Sequence, residues 1–154
     1  MAIILKQETN DYALHPEGGP YQAVVSEVRL LEDVETAFGI KNKVLLIFQT
    51  SELTKNHDES VTDDRPMTVA SSVNATLSEK GRLMTFLSQQ VPASELKELL
   101  ASGEVDVEGR LKGTQWMLSV EHNEANGRTY ANITNAMKAP PEQQISIWDD
   151  EGGL

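Results

Sequence analysis

The chain contains no cysteine, which excludes disulfides, thiol nucleophiles and thiolate metal sites together. Aromatic residues make up only 5%, so any ligand held by ring stacking has few platforms to use. No apolar run approaches the roughly 18 residues of a membrane span. The opening MAIILKQETN has a short apolar patch with no basic segment before it, which is not a signal-peptide pattern. These absences together predict a protein of the reducing cytoplasm with no membrane partner.

What is present fits one globular domain: 154 residues, 39% hydrophobic and 24% charged. The formal net charge of -11 sets a field that repels polyanions overall. The acid is unevenly spread, however. Lys6 stands against Glu8, Asp11 and Glu17 in the first twenty residues, and Glu142, Asp149, Asp150 and Glu151 have no basic neighbour after residue 138. The body between them is only mildly acidic and has room for one basic face.

Along the chain, residues 1–20 end in HPEGGP and read as a loose lead-in, with a short strand at Ile3–Lys6. YQAVVSEVRLLEDVET (21–36) is a long strand pattern in which Val24, Val28, Leu30 and Val34 share one parity. A strand of this length is expected to bend through a bulge. AFGIKN turns the chain into KVLLIFQT (43–50), an apolar strand read as buried on both faces. Residues 51–66 are a polar loop, and MTVASSVNA (67–75) has weak strand character. A helix follows with Ser78 as N-cap and Leu83, Phe86 and Leu87 on one face. PASELKELLASG (92–103) is a second helix, capped by Ser94 and ended by Gly103. Strands resume over 105–138, with Trp116, Leu118 and Val120 on the buried parity and Tyr130 opposite in parity to Ala131 and Ile133. The last sixteen residues, 139–154, contain Pro-Pro and an acidic tip and read as a disordered tail. Five antiparallel strands with a helical segment between the third and fourth predict a mainly β fold, a five-stranded Greek-key barrel like the OB-fold, over residues 21–138.

ETAFGIKNKVLLIFQT, NATLSEKGRLMTFL and LSVEHNEANGRTYANI resemble a family of phage-encoded OB-fold proteins, regarded as single-stranded DNA-binding or replication-associated. The resemblance covers roughly residues 20–138. It implies that the exposed barrel face and two loops, here Ala37–Lys43 and Asn123–Arg128, meet a nucleic acid. On that basis Arg128 and Tyr130, which share a sheet face, are a phosphate contact beside a stacking ring. Lys41 and Lys43 flank the first hairpin turn with Phe38 at its tip. Lys80, Arg82 and Lys112 extend the same track, and Tyr21 is the next aromatic candidate.

Other chemistries find little support. His57 lies among Asp58, Glu59, Asp63 and Asp64, but with no second histidine at ligand spacing. HPEGGP lacks the lysine, hydroxyl residue and following helix of a phosphate loop. The sequence therefore predicts no enzyme, no cofactor and no metal. In the tail, Ile145, Ile147 and Trp148 precede Asp149, Asp150 and Glu151, which resembles the partner-docking tips of single-stranded DNA-binding proteins. The expected function is binding of single-stranded DNA without strong sequence preference, in phage replication or recombination. Trp148 and the three acids would tune binding or recruit replication or recombination proteins, and homo-oligomer formation is left open. The alternative expectation is an OB-fold adaptor, or an acidic DNA mimic, without DNA affinity.

Overall fold

The computed structural model describes residues 14–77, 81–125 and 127–148. Its elements run in the order β1 (Gly18–Thr36), β2 (Gly39–Leu53), β3 (Pro66–Asn74), α1 (Arg82–Gln90), α2 (Ala93–Ser102), α3 (Val107–Leu111), β4 (Gln115–Ala125) and β5 (Arg128–Lys138). The fold is mainly β: one five-stranded sheet in the order β3-β2-β1-β4-β5, every pair antiparallel. The expected strand at Ile3–Lys6 and the cap at Ser78 lie outside the described residues.

β1 and β2 form a hairpin closed by Thr36–Gly39, where Gly39 sits at φ 107, in the region that favours a residue without Cβ. The Thr36 hydroxyl stiffens the turn by donating to Gly39 O at 2.6 Å and accepting from Phe38 N at 3.1 Å. β1 is long enough to serve two neighbours. Its first part pairs with β4 over Gly18–Val24, and from Ala23 to Thr36 it pairs with β2. To wrap both it bends at two register shifts, Val25/Glu27 and Leu31/Val34. The first shift overturns the single parity read from the sequence. Ala23 and Val25 face the core, Val28 packs against the core from beyond the bulge, and Val24 lies on the opposite face.

The core sits on the inner face of this bent sheet. Trp116, Phe48 and Phe86 meet there, with Trp116 edge-on to both rings at 6.2 and 5.2 Å between centroids. The Trp116 indole N–H, which would be costly to bury unpaired, donates to Thr114 Oγ1 at 2.8 Å. On β2 only Val44, Leu46, Phe48 and Thr50 are buried, whereas Leu45 and Ile47 are half-buried on the outer face. The strand is thus two-sided in position without being closed over on both faces. α1 brings Leu83, Met84, Phe86 and Leu87 onto the core. It contacts both β3 and β5, the sheet's outer strands. Gln89 ties it to β5, donating to Ala136 O at 3.0 Å and accepting from Lys138 N at 2.9 Å.

Three local expectations are corrected. Residues 105–111, read as strand, include α3, which Asp106 caps by accepting from Gly109 N at 2.9 Å. Ser94 does not cap α2: the N-cap is Pro92, without a side-chain bond, although Gly103 ends the helix in the left-handed region as expected. Finally, β1 starts at Gly18 inside the HPEGGP segment. Just before it His15 is anchored, 2% exposed with its Nε2 2.7 Å from Thr50 Oγ1.

No described helix is long and apolar enough to cross a membrane.

Candidate nucleic-acid interface

Strand pairing fixes which side chains share the outer face, because directly paired residues point the same way. Val24 pairs with Gln49 on β2 and with Gln115 on β4, and Gln49 pairs with Thr68 on β3. Thr68, Gln49, Val24 and Gln115 therefore form one row across four strands, on the side away from Trp116 and Phe48.

That row is occupied. Residues 139–148, read from the sequence as part of a disordered tail, are laid across the outer face. Gln115 Nε2 donates to Ile145 O at 2.8 Å while its Oε1 accepts from Ile145 N at 2.9 Å. Gln49 repeats the arrangement three residues on: Nε2 to Trp148 O at 3.0 Å, and Oε1 from Trp148 N at 2.7 Å. Gln22, one outward position along β1, donates to the Gln143 side chain. The spacing explains the pairing. Three extended residues rise about 10 Å, and β4 to β2 is two inter-strand steps of about 4.8 Å each. Val24 lies between the two glutamines and is 1% exposed, although it faces away from the core cluster around Trp116 and Phe48. The segment between the clamps passes over it. Asp149, Asp150 and Glu151 lie outside the described residues.

Trp148 ends the strap beside a cleft of about 430 Å³ whose walls include Arg65, Thr68, Glu27 and Lys112. Arg65 lies over the indole, its Cζ 5.7 Å from the ring centroid, within range of a cation–π contact. Two bonds of 2.9 Å to the Asp63 carboxylate fix the guanidinium plane. The same bonds hold the Asp63 carboxyl below its ordinary pKa.

The sequence-predicted residues fall at different places on this frame. Lys41 and Lys43 point outward from β2, on the same parity as Gln49, and Lys43 lies about 20 Å along the strand from that row. Arg128 and Tyr130 point outward from β5, opposite Ala125 and Asn123. They lie at the far end of the β4–β5 hairpin, in the direction opposite to the lysines. Tyr130 is exposed (43%), and so is Phe38 at the first hairpin tip (88%). The structure thus puts the two predicted loops at opposite ends of one face and does not bring them together. Lys112 stands in the cleft wall beside Trp148. Arg82 is elsewhere, lining a cleft with Gln89 and Asn135 near the β5 edge. Tyr21 is half-buried, with its hydroxyl donating to Glu17 O at 2.9 Å and its ring 4.7 Å from that of His15. Burial and nearby Glu52 raise its pKa. Lys80 lies outside the described residues.

No protein-family model matches the chain, and no curated protein matches it.

The charge on the outer strand positions runs against the chain's total. Arg29, Lys41, Lys43 and Arg128 point outward there, against Glu27 and Glu121. Arg65 and Lys112 add to them at the cleft. Glu27 is itself neutralised by Arg29, whose hydrogen bond holds the Glu27 carboxyl below its usual range. The histidine and acid groupings noticed in the sequence are spent on structure. His57 pairs with Glu52 at 2.8 Å, and His122 bonds His15 O at 2.6 Å. Among the described residues no group of histidines and carboxylates is arranged to hold a metal.

Gln49, Gln115, Arg65 and Val24 are the site residues that the sequence reading missed. The available signal was faint: a glutamine at the outward position ending KVLLIFQT, another just before Trp116, and an apolar ISIW segment after Pro-Pro.

Proposed function

We propose that this chain is an OB-fold-like barrel whose outer face binds single-stranded DNA without strong sequence preference. The observation that carries the reading is the local charge: on the outward strand positions Lys41, Lys43 and Arg128 outnumber Glu121, with Arg29 and Glu27 paired, on a chain of net charge -11. Acidic residues lie on the helices, in the 52–64 loop and in the tail, and also on the strands, with Glu32, Asp33 and Glu35 near the first hairpin turn and Glu124 near the second. The strand order, with β1 paired to both β2 and β4, is the order such a barrel needs, and its ligand face is the one across strands two and three with the first and last hairpin loops. Arg128, Lys41 and Lys43 contact phosphates, Tyr130 and Phe38 offer rings at the two ends, and the tail tunes access by lying across the middle. Phage replication or recombination is the setting that the sequence resemblance implies.

Titration of labelled single-stranded and duplex oligonucleotides at two salt concentrations tests this. Each phosphate neutralised on a single strand contributes a slope of about -0.7 to log affinity against log salt. Lys41→Glu with Lys43→Glu should weaken binding and flatten that slope. No binding to single strands at micromolar protein in low salt would refute the proposal.

One observation favours a second reading. The ligand present on the face is a peptide, held by its backbone, as a protein-interaction adaptor would hold a partner's segment. That reading expects the strap to be displaced by a peptide and by no oligonucleotide.

A further inference from the structure

A chain poor in aromatic residues must hold bases by something besides rings. We infer that Gln49 and Gln115 are base-contacting residues, that Arg65 stacks on a base, and that the strand crosses β4, β1 and β2 along the line now taken by residues 145–148. This rests on single-strand binding at the outer face, and it names the groups that do it.

A carboxamide presents one donor edge and one acceptor edge side by side. Here each glutamine matches them to the N–H and C=O of a single tail residue, Ile145 or Trp148. A nucleobase edge offers the same complement, as in the paired contacts that glutamine makes to adenine N6 and N7. Arg65 is already held beside a ring. Asp63 fixes the guanidinium edge at two points, and the Arg65 Cζ lies 5.7 Å from the centroid of the Trp148 ring. Unstacked bases of single strands lie on guanidinium planes in this way. Between the clamps, Val24 gives an apolar floor once the strap leaves. The clamps stand about 10 Å apart, close to three rises of a stacked strand at about 3.4 Å each. The strap has the matching chemistry of a strand: backbone donor and acceptor edges, a ring under Arg65, and a sequence that continues Asp-Asp-Glu.

The test uses the full chain. Trp148→Ala loosens the strap without touching either glutamine, and binding is read by anisotropy at low salt. The probes are an oligoadenylate single strand and an abasic strand of equal length. Trp148→Ala should bind oligoadenylate more tightly than the parent. Adding Gln49→Ala or Gln115→Ala should weaken that binding about tenfold each relative to the abasic strand, whose own binding the loss of a strap clamp can only tighten. Arg65→Lys, which keeps the charge and loses the plane, should also weaken only the base-bearing strand. A folded second variant, Gln115→Glu, exchanges the donor for a second acceptor and should shift preference from adenine toward cytosine. If strands bind but the glutamine variants weaken both probes alike, or neither, the base-contact assignment is overturned while single-strand binding stands. If neither the parent nor Trp148→Ala binds any strand, both fall together.

Discussion

Replacing Gln115 by alanine should release the first half of the tail strap and leave the sheet and its core folded. Gln115 supplies two hydrogen bonds to Ile145, at 2.8 and 2.9 Å. At about 1 kcal/mol net for each bond, their loss removes about 2 kcal/mol of docking. That is a factor of about 30 in the docked population. The core is not touched, since the Gln115 side chain points away from Trp116. Backbone contacts also survive: Ala139 N still donates to Gln115 O at 3.1 Å. The clamp at Gln49 remains as well, so release should be graded. The Ile145 amide should lose about 30-fold in hydrogen-exchange protection and the Trp148 amide less, while Phe48 and Leu118 amides stay slow. Residue-resolved exchange by NMR reads all four. The reasoning is refuted if Ile145 exchanges at the unprotected rate in the parent chain, or if Gln115→Ala changes nothing there.

Trp116→Ala should cost about 3–5 kcal/mol in urea unfolding, because the indole is fully buried against Phe48 and Phe86. Gly19→Ala should lose about 1–3 kcal/mol in the same assay: Gly19 sits at φ +123, and an added Cβ would stand 2.5 Å from Leu118 O. Stability should fall on acidification through His15, whose pKa burial lowers from 6.5, with the Pro16 carbonyl bond opposing. The unfolded chain then binds the more protons, so the contribution is whole above about pH 6.5 and is lost as pH drops toward the folded value. Thermal melts between pH 7.5 and 5 should show this slope, and His15→Gln should flatten it.

Both hairpins were legible because their turns carry their own chemistry. AFG and NG mark the reversals, and alternation on either side, with Trp116, Leu118 and Val120 inward, fixes which face is buried. The β1 bulges were legible only as a need. Length demands a bend, but nothing in AVVSEVRLL says that parity switches between Val25 and Glu27, because that depends on where β4 stops pairing and β2 continues. α3 escaped because five residues are too few for a helical period to show, and Asp106 is its one local signal. The site itself was half visible. Outward lysines follow from strand parity, but Gln49 and Gln115 are remote in sequence, and only the strand order puts them in a row. The strap escaped for a related reason. It is held by side-chain amides bonding to its backbone, and such bonding imposes no hydrophobic period on the segment held.

The position of the strap also bounds its strength. A site 3% open reduces a ligand's apparent affinity about 30-fold. A strap held by four hydrogen bonds and a ring would shut the site almost wholly if each bond contributed in full. Entropy works against it, since ordering each residue of the tail costs about 1–2 kcal/mol of backbone freedom. The segment between Ala139 and Trp148 carries Pro140 and Pro141, which have little of that freedom to lose. The structure therefore places its stiffest residues where the tail leaves β5, which lowers the cost of docking, and ends the docked segment at Trp148 against Arg65. Replacing the Pro-Pro connection by glycine and serine should weaken docking with none of the clamp hydrogen bonds removed. If exchange at Ile145 and Trp148 is the same after a Pro140→Gly, Pro141→Ser change, then preorganisation has no part in holding the strap, and the hydrogen-bond clamps alone set its population.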